Sequence, residues 1–99
     1  MTNTRVRHTP HTGTGQNAAR ELLGARLRAE REAREWSYQQ LAAKLSDASA
    51  GICPVPDTAS IVPQIRRWER GAAGVGERYR TLYCIAFGMG MELWDVRRS

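Results

Sequence analysis

No stretch of this 99-residue chain approaches the run of about 20 apolar side chains that crosses a bilayer. Its beginning also lacks the apolar centre of a secretion signal. The expectation is a soluble, cytoplasmic and nucleoid-associated protein with no membrane partner. Cysteine is scarce. Cys53 and Cys84 lie far apart, so free thiols in a reducing compartment are expected, with a disulfide as the alternative. The pair lacks the spacing and the histidine company of a zinc site. The two histidines, His8 and His11, sit in a polar stretch without further ligands, and no Ser/His/Asp or Cys/His arrangement can be assembled. Glu30, Glu32 and Glu35 are spaced as helix surface. Gly13, Gly15 and Gly24 follow no strand, which removes a phosphate-cradling glycine loop. Strand-like alternation backed by turn residues is missing throughout. An enzyme is therefore the least favoured class, and no catalytic residue, metal or cofactor is expected.

What is present points elsewhere. The length suits one domain with a small core. The hydrophobic share of 41% is that of a globular protein, and the net charge of +5 favours nucleic acid or another anionic surface. Residues 1–17 are nearly free of aliphatic side chains and read as a disordered arm, with Arg5 and Arg7 giving it mild positive character. The alternative is an arm that touches a DNA backbone or minor groove. The domain proper is expected over 18–96.

Five helices are expected there. The first covers 18–35, where Leu23 and Leu27 are four apart, Leu22, Ala19, Ala29 and Ala33 widen the stripe, and Arg28/Glu32, Glu30/Arg34 and Arg31/Glu35 interleave at i,i+4. Ser37-Tyr38-Gln39-Gln40 is a capping box that opens a second helix. Trp36 and Leu41 are placed to form its hydrophobic staple, and it is expected to end between Leu45 and Ala48. Residues 46–61, with Gly51, Pro54 and Pro56, read as a long loop tacked down by Ile52, Cys53 and Val55. Pro63 is tolerated in a first turn and not deeper, so the third helix is expected to start between Ser60 and Pro63 and run to Arg70. Its core is Ile65-Arg66-Arg67-Trp68-Glu69-Arg70-Gly71. Ile61, Ile65 and Trp68 point inward, and Gly71 stops the helix. This basic segment is either a DNA reader or a solvated helix face. A fourth helix is expected over 77–87, closed by Gly88, with Leu82, Ile85 and Ala86 inward, joined by Tyr79, Tyr83 and Phe87. A short fifth helix over 89–96 folds Trp94 back on the bundle.

Three blocks in order carry a resemblance: Leu27-Arg28-Ala29-Glu30-Arg31, then Trp36-Ser37-Tyr38-Gln39-Gln40-Leu41-Ala42, then Ile65 through Gly71. Together they resemble the Cro/phage-repressor type of helix-turn-helix, the XRE-like family, over about residues 20 to 95. The segment from Glu77 to Tyr83 looks like regulators of high-GC actinobacteria. The resemblance implies an all-α, compact five-helix bundle of the repressor-like type. It also implies double-stranded DNA as partner, a role as transcriptional regulator, a homodimer on a palindromic site, and an additional C-terminal domain beyond this chain. Arg31 and Glu69 would pair between the first and third helices. Gln64, Arg66, Arg67, Val62 and Pro63 would meet bases, with Arg67 the best match to a base-contacting position. Ser37, Tyr38, Gln39, Arg70, Arg78 and Arg80 would meet phosphates, and the Tyr38 hydroxyl would bond the backbone as a family glutamine does. Two departures stand out. The family turn is about three residues where 46–61 is sixteen, and the family's early reader positions fall on Val62 and Pro63, which cannot donate side-chain hydrogen bonds. They favour the rival class, a protein-interaction adaptor on the same helical body with reduced or lost DNA reading, whereas the retained arginines argue against it.

Overall fold

Capping chemistry sets most of the helix boundaries. The computed structural model describes the backbone of residues 8–95 and the side chains of residues 17–95. Four α-helices follow one another: α1 His8–Ala33, α2 Tyr38–Ser49, α3 Thr58–Glu69 and α4 Glu77–Phe87, with a 3-10 turn at Met91–Trp94. They form a compact, all-helical bundle. The expected fifth helix is this single 3-10 turn, too short for an i→i+4 ladder.

The helical backbone begins at His8, inside the segment read as an arm. Pro10 falls in the first turn, where its missing N–H breaks no ladder bond. Residues 1–7, with Arg5 and Arg7, lie outside the described residues, as do the side chains of His8 and His11.

The capping box forms as expected. The Gln40 amide donates to Ser37 Oγ at 3.0 Å, and the Ser37 amide donates to Gln40 Oε1 at 2.7 Å. Trp36, placed for a staple on Leu41, packs against the core and stacks on Phe87 of α4, with centroids 5.9 Å apart.

The long loop is a correction. Helix α2 runs through Ser49, with Ala48 packed on the core and the buried Ser49 hydroxyl donating back to the Ser46 carbonyl at 2.6 Å. The chain leaves α2 through Gly51, at φ 78°, and α3 already begins at Thr58. The connection is residues 50–57, half the expected length. Its N-cap is Asp57, whose Oδ1 accepts from the Ser60 amide at 3.1 Å, and neither Ser60 nor Val62 caps the helix. Pro63 consequently lies inside α3 rather than in its first turn. It costs the Ala59 carbonyl its ladder donor, at a place where Ala59 and Pro63 are both exposed residues. Ile52 is exposed, while Cys53 and Val55 pack on the core and do the tacking.

Helix α2 packs against both α3 and α4, and α1 packs against α3. Leu27, Leu41, Leu45, Ile61, Ile65, Leu82 and Leu93 are fully buried between them. Each such side chain contributes about 1.5–3 kcal/mol of burial. Tyr83 is the centre of an aromatic group, with Trp68, Phe87 and Trp94 at 5.8, 5.4 and 6.0 Å. Trp94 thus folds back as expected, and its indole N–H donates to Cys84 Sγ at 3.2 Å. Among the expected core positions, the large side chains of Leu22 on α1 and Ile85 on α4 are exposed. The inward face of α1 is Leu23, Gly24, Leu27 and Arg31, narrower than the stripe read from its alanines, since Ala29 and Ala33 are exposed. Among the described residues no helix is long and apolar enough to cross a membrane.

Candidate nucleic-acid interface

Helix α3 has two unlike faces. Ile61, Ile65, Trp68 and Glu69 are buried, while Pro63, Arg66, Arg67 and Arg70 are exposed. Three groups of contacts hold the buried face in place.

The first is the Arg31–Glu69 pair. Arg31 Nε donates to Glu69 Oε2 at 2.7 Å and Nη2 donates to Oε1 at 3.1 Å, a bidentate fork. The remaining Nη1 donates to the Trp36 carbonyl at 2.9 Å. The side chains are only 10% and 3% exposed. Hydrogen bonding to Glu69 raises the Arg31 pKa against the opposing effect of burial. One arginine therefore ties α1, the turn into α2 and the end of α3 together. The i,i+4 pairing of Arg31 with Glu35 is replaced by this bond, whereas Arg28–Glu32 and Arg34–Glu30 do form, at 3.0 and 2.8 Å.

The second is a close helix crossing. A Cβ on Gly24 would lie 2.5 Å from the carbonyl oxygens of both Trp68 and Glu69. Gly71, at φ +75°, stops α3 and would bring a Cβ within 2.9 Å of the Glu21 Cα. The end of α3 thus meets α1 backbone against backbone.

The third is Tyr38. Its ring has the Arg31 guanidinium 4.3 Å from its centroid and that of Arg66 5.1 Å away. These two contacts link α1 and the start of α2 to the outer face of α3 through the Tyr38 ring.

Four of the five expected base-facing residues come together, with the expected phosphate contact Arg70 beside them. Val62, Pro63, Arg66, Arg67 and Arg70 line, with Ala59, one open depression of about 340 Å³ on α3. Gln64 and Arg67 line a second, between α3 and the loop leading to α4, with Trp68, Ala73 and Tyr79. Among the described residues Arg66, Arg67, Arg70 and Arg78 have no carboxylate partner. Ser37, Tyr38 and Gln39 stand at the α2 N-terminus, whose first amides lie ahead of the helical ladder and favour an anion. Arg66, over the Tyr38 ring, brings this terminus beside α3. Arg78 is exposed in the first turn of α4. Arg80 is occupied elsewhere: its Nε donates to the Val75 carbonyl at 3.1 Å, and its guanidinium lies 5.1 Å from the Trp94 ring. These contacts tie the exposed Arg80 side chain to the loop before α4 and to the last turn.

Gly24, the Tyr38 ring and Arg34 were not singled out by sequence reasoning as positioning residues. Arg34 Nη2 donates to the Phe87 carbonyl at 2.7 Å, a cation at the end of α4. The i,i+4 spacing with Glu30 marked Arg34 only as solvated surface. Comparison with protein-family models, with curated proteins and with solved structures returns no match to the chain.

Proposed function

We infer that this chain binds double-stranded DNA in a sequence-specific way, as a transcriptional regulator of the repressor-like helix-turn-helix type, with α3 entering the major groove. The observation that carries this reading is the outer face of α3. Arg66, Arg67 and Arg70 lack acidic partners among the described residues, on a helix whose opposite face is fixed by Glu69, Trp68 and two glycine contacts. A rigid helix with unneutralised arginines is suited to phosphates and to guanine, whose O6 and N7 accept a bidentate guanidinium. Arg67 borders both depressions and is the residue assigned to guanine. Gln64 and Arg66 flank it. The α2 N-terminus, with Ser37, Tyr38 and Gln39, and the side chains of Arg70 and Arg78 take phosphates, which position the helix without specifying sequence. A homodimer on a palindromic site supplies the affinity that one small module lacks.

The rival reading, a protein-interaction adaptor, draws on Ile85 and Met91, large apolar side chains that are 49% and 73% exposed. Salt separates the two. The logarithm of DNA affinity falls linearly with the logarithm of salt concentration, with a slope of about 0.9 per phosphate contact, whereas an apolar interface is nearly indifferent.

The test is selection from a random duplex library with the parent chain and with Arg67→Ala. An enriched site for the parent, relaxed at one guanine in the variant at a cost of about 1–3 kcal/mol, is the expected result. Failure of the parent to enrich any site would refute specific DNA binding. An unchanged site in the variant would remove Arg67 as the reader.

A further inference from the structure

We propose that the depression on the leading half of α3 is a pocket for the 5-methyl group of a thymine that neighbours the guanine read by Arg67. The inference rests on the DNA-binding reading and adds the second element of its specificity. The depression is divided along the helix. Ala59, Val62 and Pro63 line one end, and Arg66, Arg67 and Arg70 line the other. The first three side chains can neither donate nor accept a hydrogen bond, and Pro63 has no backbone N–H either. These side chains cannot read the polar edge of any base. The thymine methyl is the one apolar group that an unmodified base pair presents in the major groove.

The spacing supports the same pair of ligands. Pro63 and Arg67 are four residues apart on one face, about 6 Å along the axis at 1.5 Å per residue. Base pairs follow each other at about 3.4 Å, so the apolar contact and the guanidinium fall within about two base-pair steps of each other. The arginines supply the complementary charge for the flanking phosphates. The apolar end is also open: Pro63 and Ala59 are exposed, and Val62 is half-buried.

The experiment uses the full chain and the duplex that it enriches from a random library. Each thymine of that duplex is replaced in turn by deoxyuridine, which deletes only the methyl group, and binding is followed by fluorescence anisotropy. One thymine beside the Arg67-dependent guanine is expected to weaken binding about fourfold when its methyl is removed, the equivalent of about 0.8 kcal/mol for one buried carbon. In Pro63→Ser, which removes a helix-interior proline from an exposed position, the difference between thymine and deoxyuridine should disappear while the guanine requirement stays. A flat deoxyuridine scan on an enriched site overturns the methyl pocket and leaves the DNA-binding reading intact. So does a thymine preference that is undiminished in Pro63→Ser. No enriched site at all overturns both.

Discussion

Gly24→Ala tests the architecture most sharply, because local and tertiary physics give opposite signs. Within α1, replacing a glycine by alanine should stabilise the helix by about 0.8–1.0 kcal/mol. The new Cβ, however, would lie 2.5 Å from two carbonyl oxygens at the end of α3. Carbon and oxygen in weak contact stand about 3.3 Å or more apart, so α1 and α3 must separate by about 0.8 Å. The obstructing atoms are backbone, with no rotamer to change. The cost therefore belongs at the upper end of the about 1–3 kcal/mol that overpacking exacts. The expected balance is a loss of about 2 kcal/mol, roughly 10 °C in Tm for a domain of this size. Urea titration followed by far-UV circular dichroism measures it. Ala25→Gly, at the exposed neighbouring position, reports the propensity effect alone, a loss of about 1 kcal/mol. If Gly24→Ala instead gains about 1 kcal/mol, the helices do not meet backbone to backbone and the proposed rigidity of α3 loses its basis.

Three further outcomes are expected. Glu69→Gln leaves a buried guanidinium without its anion and should destabilise the fold by about 3–5 kcal/mol, whereas Arg31→Met with Glu69→Met should recover most of that loss in the same titration. Tyr83→Phe should raise stability by about 1 kcal/mol, since the Tyr83 hydroxyl is buried without a hydrogen-bond partner among the described residues. Calorimetry of the two proteins at equal concentration decides this, and a loss would show that the hydroxyl is satisfied. Asp57 has its pKa lowered, first by the Ser60 side chain and then by the Ser60 amide. Its contribution is thus complete above the unfolded carboxylate value of about 3.9 and fades as pH falls below it. Asp57→Asn keeps a capping oxygen, so thermal melts should match near neutrality and the variant should lose less stability between about pH 4 and pH 2.

How legible this molecule was depends on the range of the interactions involved. Gln40 three residues after Ser37, Gly88 after Phe87 and Gly71 after Trp68-Glu69-Arg70 act within one turn, and each boundary follows from them. The Arg31–Glu69 bond joins residues far apart in sequence and came through the family resemblance, not from spacing. The connection after α2 was misjudged because Ser46, Asp47 and Ser49 have turn-forming propensities that burial of Ala48 and Ser49 overrides. The same misjudgement hid Asp57: once Pro63 is assigned to a first turn, a cap six residues earlier is no longer sought. Gly24 could not be valued at all, since its role depends on what crosses it. Arg66 and Arg80 look alike in sequence, yet one stacks on Tyr38 and the other hydrogen-bonds Val75, a distinction that only the packing makes.

Pro63 also divides α3 mechanically. On its C-terminal side the helix is clamped by Glu69, Trp68 and the Gly24 crossing. On its N-terminal side it depends on the exposed Asp57 cap and on Ile61, with one ladder bond missing at Ala59. Stiffness therefore falls along a single helix. Amide hydrogens of residues 66–69 should exchange only through global unfolding, and those of 61 and 62 through local opening as well. A helix anchored at one end and compliant at the other can adjust its leading turns to a curved surface while the register of its arginines stays fixed.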